Sequence, residues 1–488
     1  MLIGRRYRLH PTPSQAATLA KWIGCVRAVY NAKVEEERYL AWLRRRSILS
    51  PSWSGVPEGE RRGSVDQAFG HLKGSKAEKP WFHEVPAQLY RNAIVQWRQA
   101  WANHWQNPEH FRRPEKRHRG ENDSIWVTRE LFAVEGNGRF RIGTKTRALG
   151  IVCFKQHRRF RNPASVTISH GADDRWWLSL AFEDGIAVKG NPALLEELAA
   201  LPADQRAATV VGHDRGIVRA VQTSEGACFC LDERKRRRIA RWNRRIRALG
   251  KKLARQRNKA SRRRAKTKRK LARTHSRIAD LRRDHTHQVS RRLVNGTQGR
   301  VLVFEDLKLT NMVRRPRPRP AEDGGFTRNG AGAKTGLNRS LLDQALGKIL
   351  LFSRYKAARA GKIVLTVPAH FSSQECSCCG HTSPANRKSQ AQFHCEACGH
   401  TENADANASA VIQKRGLAAL AQLLSAPGRG AFQLPVEATR PGVHLPKAKA
   451  PTKRVSEAPT SPPNRRQGEC SFTIRPIGSS ICGPGLTQ

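Results

Sequence analysis

Two Cys-x-x-Cys pairs, Cys376 with Cys379 and Cys395 with Cys398, each followed by glycine, stand 15 residues apart near the C-terminal end of the chain. Four thiolates at this spacing can close a tetrahedral zinc site of the structural type, with no open position and so no part in chemistry. Cys378 lies inside the first pair, but Cys376 and Cys379 supply the two-residue spacing and leave Cys378 a bystander. The chain has 11 cysteines, an odd number scattered from Cys25 to Cys482, which fits reduced thiols and a metal rather than a disulfide framework.

Charge is the next constraint. Lys plus Arg number 90 against 39 Asp plus Glu, a formal charge of +51. Such self-repulsion calls for a polyanion, because cations that neutralise phosphates release condensed counterions. No run of about 18 apolar residues occurs, and MLIGRRYRLHPTPSQ has no apolar signal core, so no membrane partner is expected. The expected location is the bacterial cytosol or nucleoid.

Residues 1 to 10 alternate as a strand, and PTPSQ starts a helix-periodic stretch reaching about Leu43. A Gly-, Ser- and Pro-rich loop is expected over 50 to 80, then a helix over 86 to 106 whose aromatic residues read as core. From Ser124 to Phe182 short alternating runs (IWVT, RFRIG, IVCF, ASVTIS, RWWLSLAF) predict a small β-barrel or sandwich. ATVVGHDRGIVRAVQTSEGACFCL predicts a buried strand and a hairpin. From Glu233 to Leu293, Ile239, Trp242, Ile246 and Leu249, then Leu271, Ile278 and Leu281, predict an antiparallel helical hairpin. Its surface is almost wholly Lys and Arg and reads as a phosphate-contacting face. VLVFEDL is a further buried strand, RRPRPRPAEDGG a mobile loop, Asn338 to Gly361 one amphipathic helix, and KIVLTV a strand. A helix from Ala404 to Leu424 follows the cysteines, and after Ser425 the composition predicts a disordered tail.

Acids are scarce in this basic chain, and three stand at telling places: Asp214 just after TVVGH, Glu305 ending VLVFE, and Asp405 opening the last helix. A hairpin sheet, a helix, a strand ending in an acid, a helix, a strand and a terminal helix is the order of an RNase H-like α/β fold, which would bring the three acids to one edge. Three carboxylates in a basic surround suit Mg²⁺, and two ions about 4 Å apart could activate water and stabilise the leaving oxygen in phosphodiester hydrolysis. Alone, Asp214 could be a turn residue, Glu305 or Asp306 a strand terminator, and Asp405 a charge complementing a helix dipole.

GHDRG at 212 to 216, FEDLKLTNM at 304 to 312, SSQECSCCGH at 372 to 381, FHCEACGH at 393 to 400 and NADANASAVI at 403 to 412 resemble the split RuvC nuclease and inserted zinc ribbon of the transposon-associated TnpB family. They resemble the related miniature type V CRISPR effectors equally, and RYRLHPTPSQ with CVRAVYN extends the likeness from residue 1 to about 415. The resemblance implies an RNA-guided DNA endonuclease of α/β multidomain build: an RNase H-like RuvC nuclease with an inserted zinc ribbon, an N-terminal β-barrel wedge domain and a helical recognition lobe. Its catalytic, magnesium-binding acids would be Asp214, Glu305 and Asp405, and its zinc ligands Cys376, Cys379, Cys395 and Cys398. The wedge barrel would comprise 1–10 and 119–205, the recognition lobe 11–118, and the first part of the RuvC nuclease 206–370 with the basic hairpin 233–293. The ribbon would be 371–400, the final RuvC helix 401–425 and the disordered tail 426–488. Guide RNA and its heteroduplex would lie in the basic channel, and double-stranded target DNA would be chosen beside a short adjacent motif.

His213 departs from the aliphatic residue usual before the first acid and reads as a neutral core histidine. Ser409 and Val411 replace the common Ala and Asn without touching the acid. Two other readings stand beside the TnpB-like nuclease: a miniature type V effector with a CRISPR RNA guide, and a guided repressor that binds without cutting. A monomer and a homodimer are both open.

Overall fold

The computed structural model describes residues 2–46, 65–120, 123–183, 185–321, 324–389 and 391–425. The tail expected after Ser425 and much of the loop expected over 50 to 80 lie outside the described residues.

The first sheet is antiparallel throughout and built on β1 (Leu2–His10). β1 pairs with β5 (Ala148–Lys155) on one side and β7 (Trp176–Glu183) on the other. With β2 (Ser124–Thr128), β3 (Phe132–Gly136), β4 (Arg139–Gly143) and β6 (Ser165–His170) the order is β2-β6-β7-β1-β5-β4-β3. The sequence alternation has a direct consequence: Trp176, Leu178, Leu180 and Phe182 all point into the core. Helices α1 (Pro13–Arg45) and α2 (Ala87–Gln106) set Leu19, Trp22, Leu89, Tyr90 and Ile94 into that same core. The outermost strands β2 and β3 are joined by Arg129–Leu131, yet no ladder links them. The sheet is therefore open at both edges, and a closed barrel is not what the described residues form.

The expected strand region also ends earlier than 205. Residues beyond it form α3 (Asn191–Ala199) and α4 (Ala203–Ala208), and Leu194, Leu195 and Leu198 join the core of the second sheet. Their apolar spacing of one, three and four residues is helical, not alternating.

That second sheet orders β10 (Cys228–Phe229), β9 (Val221–Thr223), β8 (Val210–Asp214), β11 (Val301–Glu305) and β12 (Ile363–Val367). β8, β11 and β12 run parallel, and β8 and β11 are buried along nearly their whole length, as continuous apolar runs predict. Before β11 come α5 (Glu233–Arg255) and α6 (Arg262–Gly296), the basic hairpin; after it come α7 (Ala331–Gln344) and α8 (Leu346–Arg359). The single amphipathic helix expected over 338 to 361 is thus two. Ala345 takes a left-handed φ of 53° between them, and Arg215 holds the break by donating to the Leu346 carbonyl at 3.2 Å. The Pro-rich stretch expected as a loop carries a minimal pairing of Arg319–Pro320 with Phe326–Thr327.

A small ribbon of β13 (Gln392–His394) and β14 (Thr401–Asn403) leads into the last helix, α9 (Ala404–Ser425). One face of the second sheet packs on α3 and α9 through Val210, Val303, Leu365 and Ile412. The other packs on α6 and α8 through Leu302, Phe304, Leu293 and Ile349. No described helix is long and apolar enough to cross a membrane.

Candidate nuclease site and metal centre

Register places two of the three acids. Gly212 is opposite Val303 and His213 opposite Phe304, so the next step along these parallel strands sets Asp214 beside Glu305, on the sheet face that α9 covers. Neighbouring strands are about 4.8 Å apart, so the two carboxylates leave the sheet as near neighbours.

The third acid comes from α9, which lies antiparallel to β8. Gln413 donates to the Val210 carbonyl at 2.8 Å, and a Cβ on Gly212 would sit 2.0 Å from the Ser409 carbonyl oxygen. Four helical residues advance about 6 Å and two strand residues about 6.6 Å, so the two elements stay in step. Continuing that step brings Asp405 over Asp214. Only glycine at 212 allows the helix this close, and Gly416 repeats the device, its missing Cβ falling 2.4 Å from Val303 Cγ2.

Electrostatics match this placement. The Asp214 carboxyl is pushed up to about 7, first by burial, then by Glu305 and Asp405. Burial also raises Glu305, opposed by the Ser372 hydroxyl donating to its Oε1 and by Arg215. Arg215 donates to the Glu305 carbonyl, and so braces the strand end. Arg219 Nη1 donates to Gln222 Oε1 at 2.8 Å and to Asn403 Oδ1 at 3.3 Å, with Nε 4.0 Å from Asp405 Oδ2. Arg387, from the cysteine-bearing insert, acts electrostatically on both Asp214 and Glu305. Two buried carboxylates with a third, partly exposed one beside them are a donor set that a hard divalent cation suits.

His213 faces the other way. It is fully buried, stacks on Phe304 with ring centroids 4.6 Å apart, and has Nδ1 3.2 Å from the Val303 carbonyl. Burial pulls it down to about 4, so it is neutral, as the sequence reading expects. Asp306 is exposed and paired with Lys308 at 2.5 Å, away from the acid face.

Among the described residues, one group of thiols or carboxylates converges as a metal set: the sulfurs of Cys376, Cys379, Cys395 and Cys398, all within 4.8 Å of one another. Cys376 to Cys398 is 3.7 Å and Cys379 to Cys395 is 3.6 Å. A tetrahedron of Zn–S bonds about 2.3 Å long has sulfurs about 3.8 Å apart, so the set fits zinc. The remaining cysteine of the first knuckle, Cys378, is outside the set. The knuckles are tied to the acids through Asn407 of α9, which is fully buried. It accepts from the Ser377 N–H and donates to the Glu375 carbonyl, both at 2.8 Å.

Asn407, Ser372, Arg215, Arg219 and Arg387 went unmarked in the sequence. Asn407 lies two residues from Asp405 within NADANASAVI and could have been found; a single arginine among so many could not.

Three family models match the chain: "Helix-turn-helix domain" over residues 1–38, "Probable transposase" over 191–315 and "Cas12f1-like, TNB domain" over 347–412. In the structure the described part of the first stretch, 2–38, is strand β1 and most of α1 with a short link between them. These matches define a transposon-associated class of protein. One relative, "Putative RNA-guided DNA endonuclease InsQ" of Escherichia coli (strain K12), is 27% identical over 426 residues, 85% of this chain and 92% of that protein. A second of the same description, without the suffix, from Streptomyces pristinaespiralis, is 29% identical over 376 residues, 77% of this chain and 80% of that protein. A solved structure, that of the mini-RNA-guided endonuclease CRISPR-Cas phi3, superposes with TM-score 0.43 at 11% identity over 86% of this chain and 92% of that one. Over most of its length the chain is thus similar to transposon-associated RNA-guided DNA endonucleases of the TnpB type.

Proposed function

We propose that this protein is an RNA-guided DNA endonuclease that hydrolyses phosphodiester bonds of target DNA at Asp214, Glu305 and Asp405. The observation that carries the reading is the gathering of these acids at one sheet edge, where Glu305 and Asp405 push the Asp214 carboxyl up to about 7. Carboxylates that scarce and that mutually repelling are costly unless a cation is held there. The first sheet with β1 is the wedge part, α1 and α2 the recognition lobe, and the second sheet with its helices an RNase H-like RuvC nuclease.

Magnesium bound by Asp214, Glu305 and Asp405 would supply charge neutralisation and an activated water. The chain's own residues fix its seat: Ser372 and Arg215 orient Glu305, and Asn403 caps the α9 start by accepting from the Asp405 N–H at 3.1 Å. Arg219 and Arg387 bring positive charge to the rim, where a DNA phosphate arrives. Zinc held by Cys376, Cys379, Cys395 and Cys398 is structural, keeping Arg387 and α9 in place. Guide RNA lies on the basic helices, and base pairing supplies the sequence choice. A protein that cuts DNA with an RNA guide would act in the cytosol or nucleoid.

Alanine at Asp214 tests the reading. It should abolish magnesium-dependent cutting of DNA matching the copurified RNA while leaving RNA binding intact. A wild type that binds such DNA and never nicks it favours the guided repressor instead. The Cas12f1-like match over residues 347–412 supports one second reading, a CRISPR RNA as guide source. Sequencing the copurified RNA decides between a transposon end and a repeat array.

A further inference from the structure

A cavity of about 470 Å³ lies at the seam between the first sheet and the basic helix α6, away from the three acids. Its sheet wall is Arg6 of β1 and Trp177 of β7; its helix wall is Ala272, Ser276 and Ala279, whose small side chains leave the space open. Arg283 and Asp280 stand at the helix end of the cavity.

The polar groups here are unequally satisfied. Asp173 is engaged by Arg175, whose N–H donates to its Oδ1 at 3.2 Å and whose Nε is 3.4 Å from Oδ2. Asp280 has Arg283 at 3.6 Å and Arg175 at 3.7 Å, beyond hydrogen-bond reach, so its oxygens stay able to accept. Arg6 lies over the Trp177 ring, 4.2 Å from its centroid, and has no ion pair or hydrogen bond among the described residues. Burial first, then the neighbouring Arg283, hold its guanidinium down to about 10, against the opposing pull of Asp280 and Asp173.

An aromatic plane, two guanidinium groups without a hydrogen-bonded carboxylate and one ion-paired carboxylate whose oxygens can still accept, around a space within the usual range for small ligands, match the parts of a single nucleotide. We infer that this cavity captures one splayed-out ribonucleotide of the bound RNA. The base lies between Trp177 and the small side chains of α6, the phosphate meets Arg6 and Arg283, and Asp280 accepts from the 2′-hydroxyl or a base N–H. The inference rests on the RNA-guided reading and adds to it a site that clasps the seam between the first sheet and α6.

The test is short-wave ultraviolet crosslinking of the full-length protein with its copurified RNA, with nucleotide adducts mapped by mass spectrometry. Adducts are expected on the peptide holding Trp177 or on α6 between Ala272 and Arg283. Ala279→Phe, at an exposed helix position, fills the cavity. It should keep the melting midpoint, remove the adducts and weaken RNA binding about tenfold, the worth of one stacked base. Arg6→Gln, which removes the phosphate-facing cation, should weaken binding without filling anything. Adducts that survive Ala279→Phe overturn the inference. So do adducts carrying deoxyribonucleotides, or adducts abolished by millimolar adenosine monophosphate, which mark a DNA strand or a free nucleotide as the occupant. A protein that cuts guided DNA but gives no adduct here refutes the cavity alone; one that purifies without RNA refutes the guided reading as well.

Discussion

Gly212 of β8 lies against Ser409 of α9 so closely that a Cβ would meet the Ser409 carbonyl oxygen at 2.0 Å and the Gln413 nitrogen at 2.6 Å. Both are backbone atoms, so nothing but a shift of the whole helix can relieve the contact. Asp405 travels with that helix. The smallest substitution in the sheet core is therefore expected to act on the site.

Gly212→Ala should cost about 1–3 kcal/mol of stability through overpacking. It should also lower the cleavage rate by about 10²-fold, because a misplacement of about 1 Å suffices for that. Denaturant unfolding and single-turnover cleavage check the two effects together. A variant that melts lower yet cuts at the wild-type rate would show that α9 does not set the position of Asp405.

The pH dependence follows from Asp214, whose carboxyl stands at about 7 against an ordinary 3.8. A carboxyl raised in the folded state binds protons more tightly there than in the unfolded chain. Metal-free stability should therefore fall as pH rises from about 4 to 7, and level off above. Magnesium should restore it at pH 8 and do little at pH 5, since it binds the ionised native site. Asp214→Asn should remove both trends, and melting curves across pH with and without magnesium read them directly.

Much of this was legible because the informative residue types are rare here. Cysteine spacing is local, and an acid at the end of an apolar strand stands out in a basic chain. The alternation of Trp176 to Phe182 gave strand faces, and His213, at the position usually aliphatic in the resembling family, gave a core histidine. What the sequence withheld depends on three-dimensional contacts. Whether β2 pairs with β3 is not written in either strand. The break at Ala345 is held by Arg215, a residue 130 positions earlier. Gly212 carries no turn signal, since its role is space and not φ.

Arg387 is one cation that acts on both Asp214 and Glu305. Arg387→Ala should leave zinc content and RNA binding unchanged, lower the cleavage rate about 10- to 100-fold, and shift the acid limb of the pH–rate profile upward. The upward shift follows because a cation that favours the ionised carboxylate has been lost. An unchanged pH limb would restrict Arg387 to a structural part.

Asn407 joins the cysteine knuckles to α9, so zinc loss and cutting are expected to be coupled. Cys395→Ser should release zinc, measured by metal analysis, and reduce cleavage through disorder around α9. Asn407→Ala should keep zinc and still lose activity, because it leaves the half-buried Ser377 N–H and Glu375 carbonyl without their partner, at about 1 kcal/mol each. If Asn407→Ala cuts normally, the ribbon and the acids are independent units.

RNA affinity should be governed by α5 and α6. In α5, Arg244, Arg245, Arg247, Lys251 and Lys252 are exposed, and Glu233 is the only acid in its sequence. Each phosphate neutralised on single-stranded RNA contributes about −0.7 to the slope of log affinity against log salt. Replacing Arg244, Arg245 and Arg247 with alanine should flatten that slope by about 2 if each meets one phosphate. The fold should be undisturbed, since the buried Ile239 and Trp242 stay in place on the opposite stripe. Target cleavage at saturating RNA should then be unchanged, which separates loss of guide affinity from damage to the nuclease site. A triple variant with the wild-type salt slope would move the guide off this hairpin, even if its binding were weaker at one salt concentration.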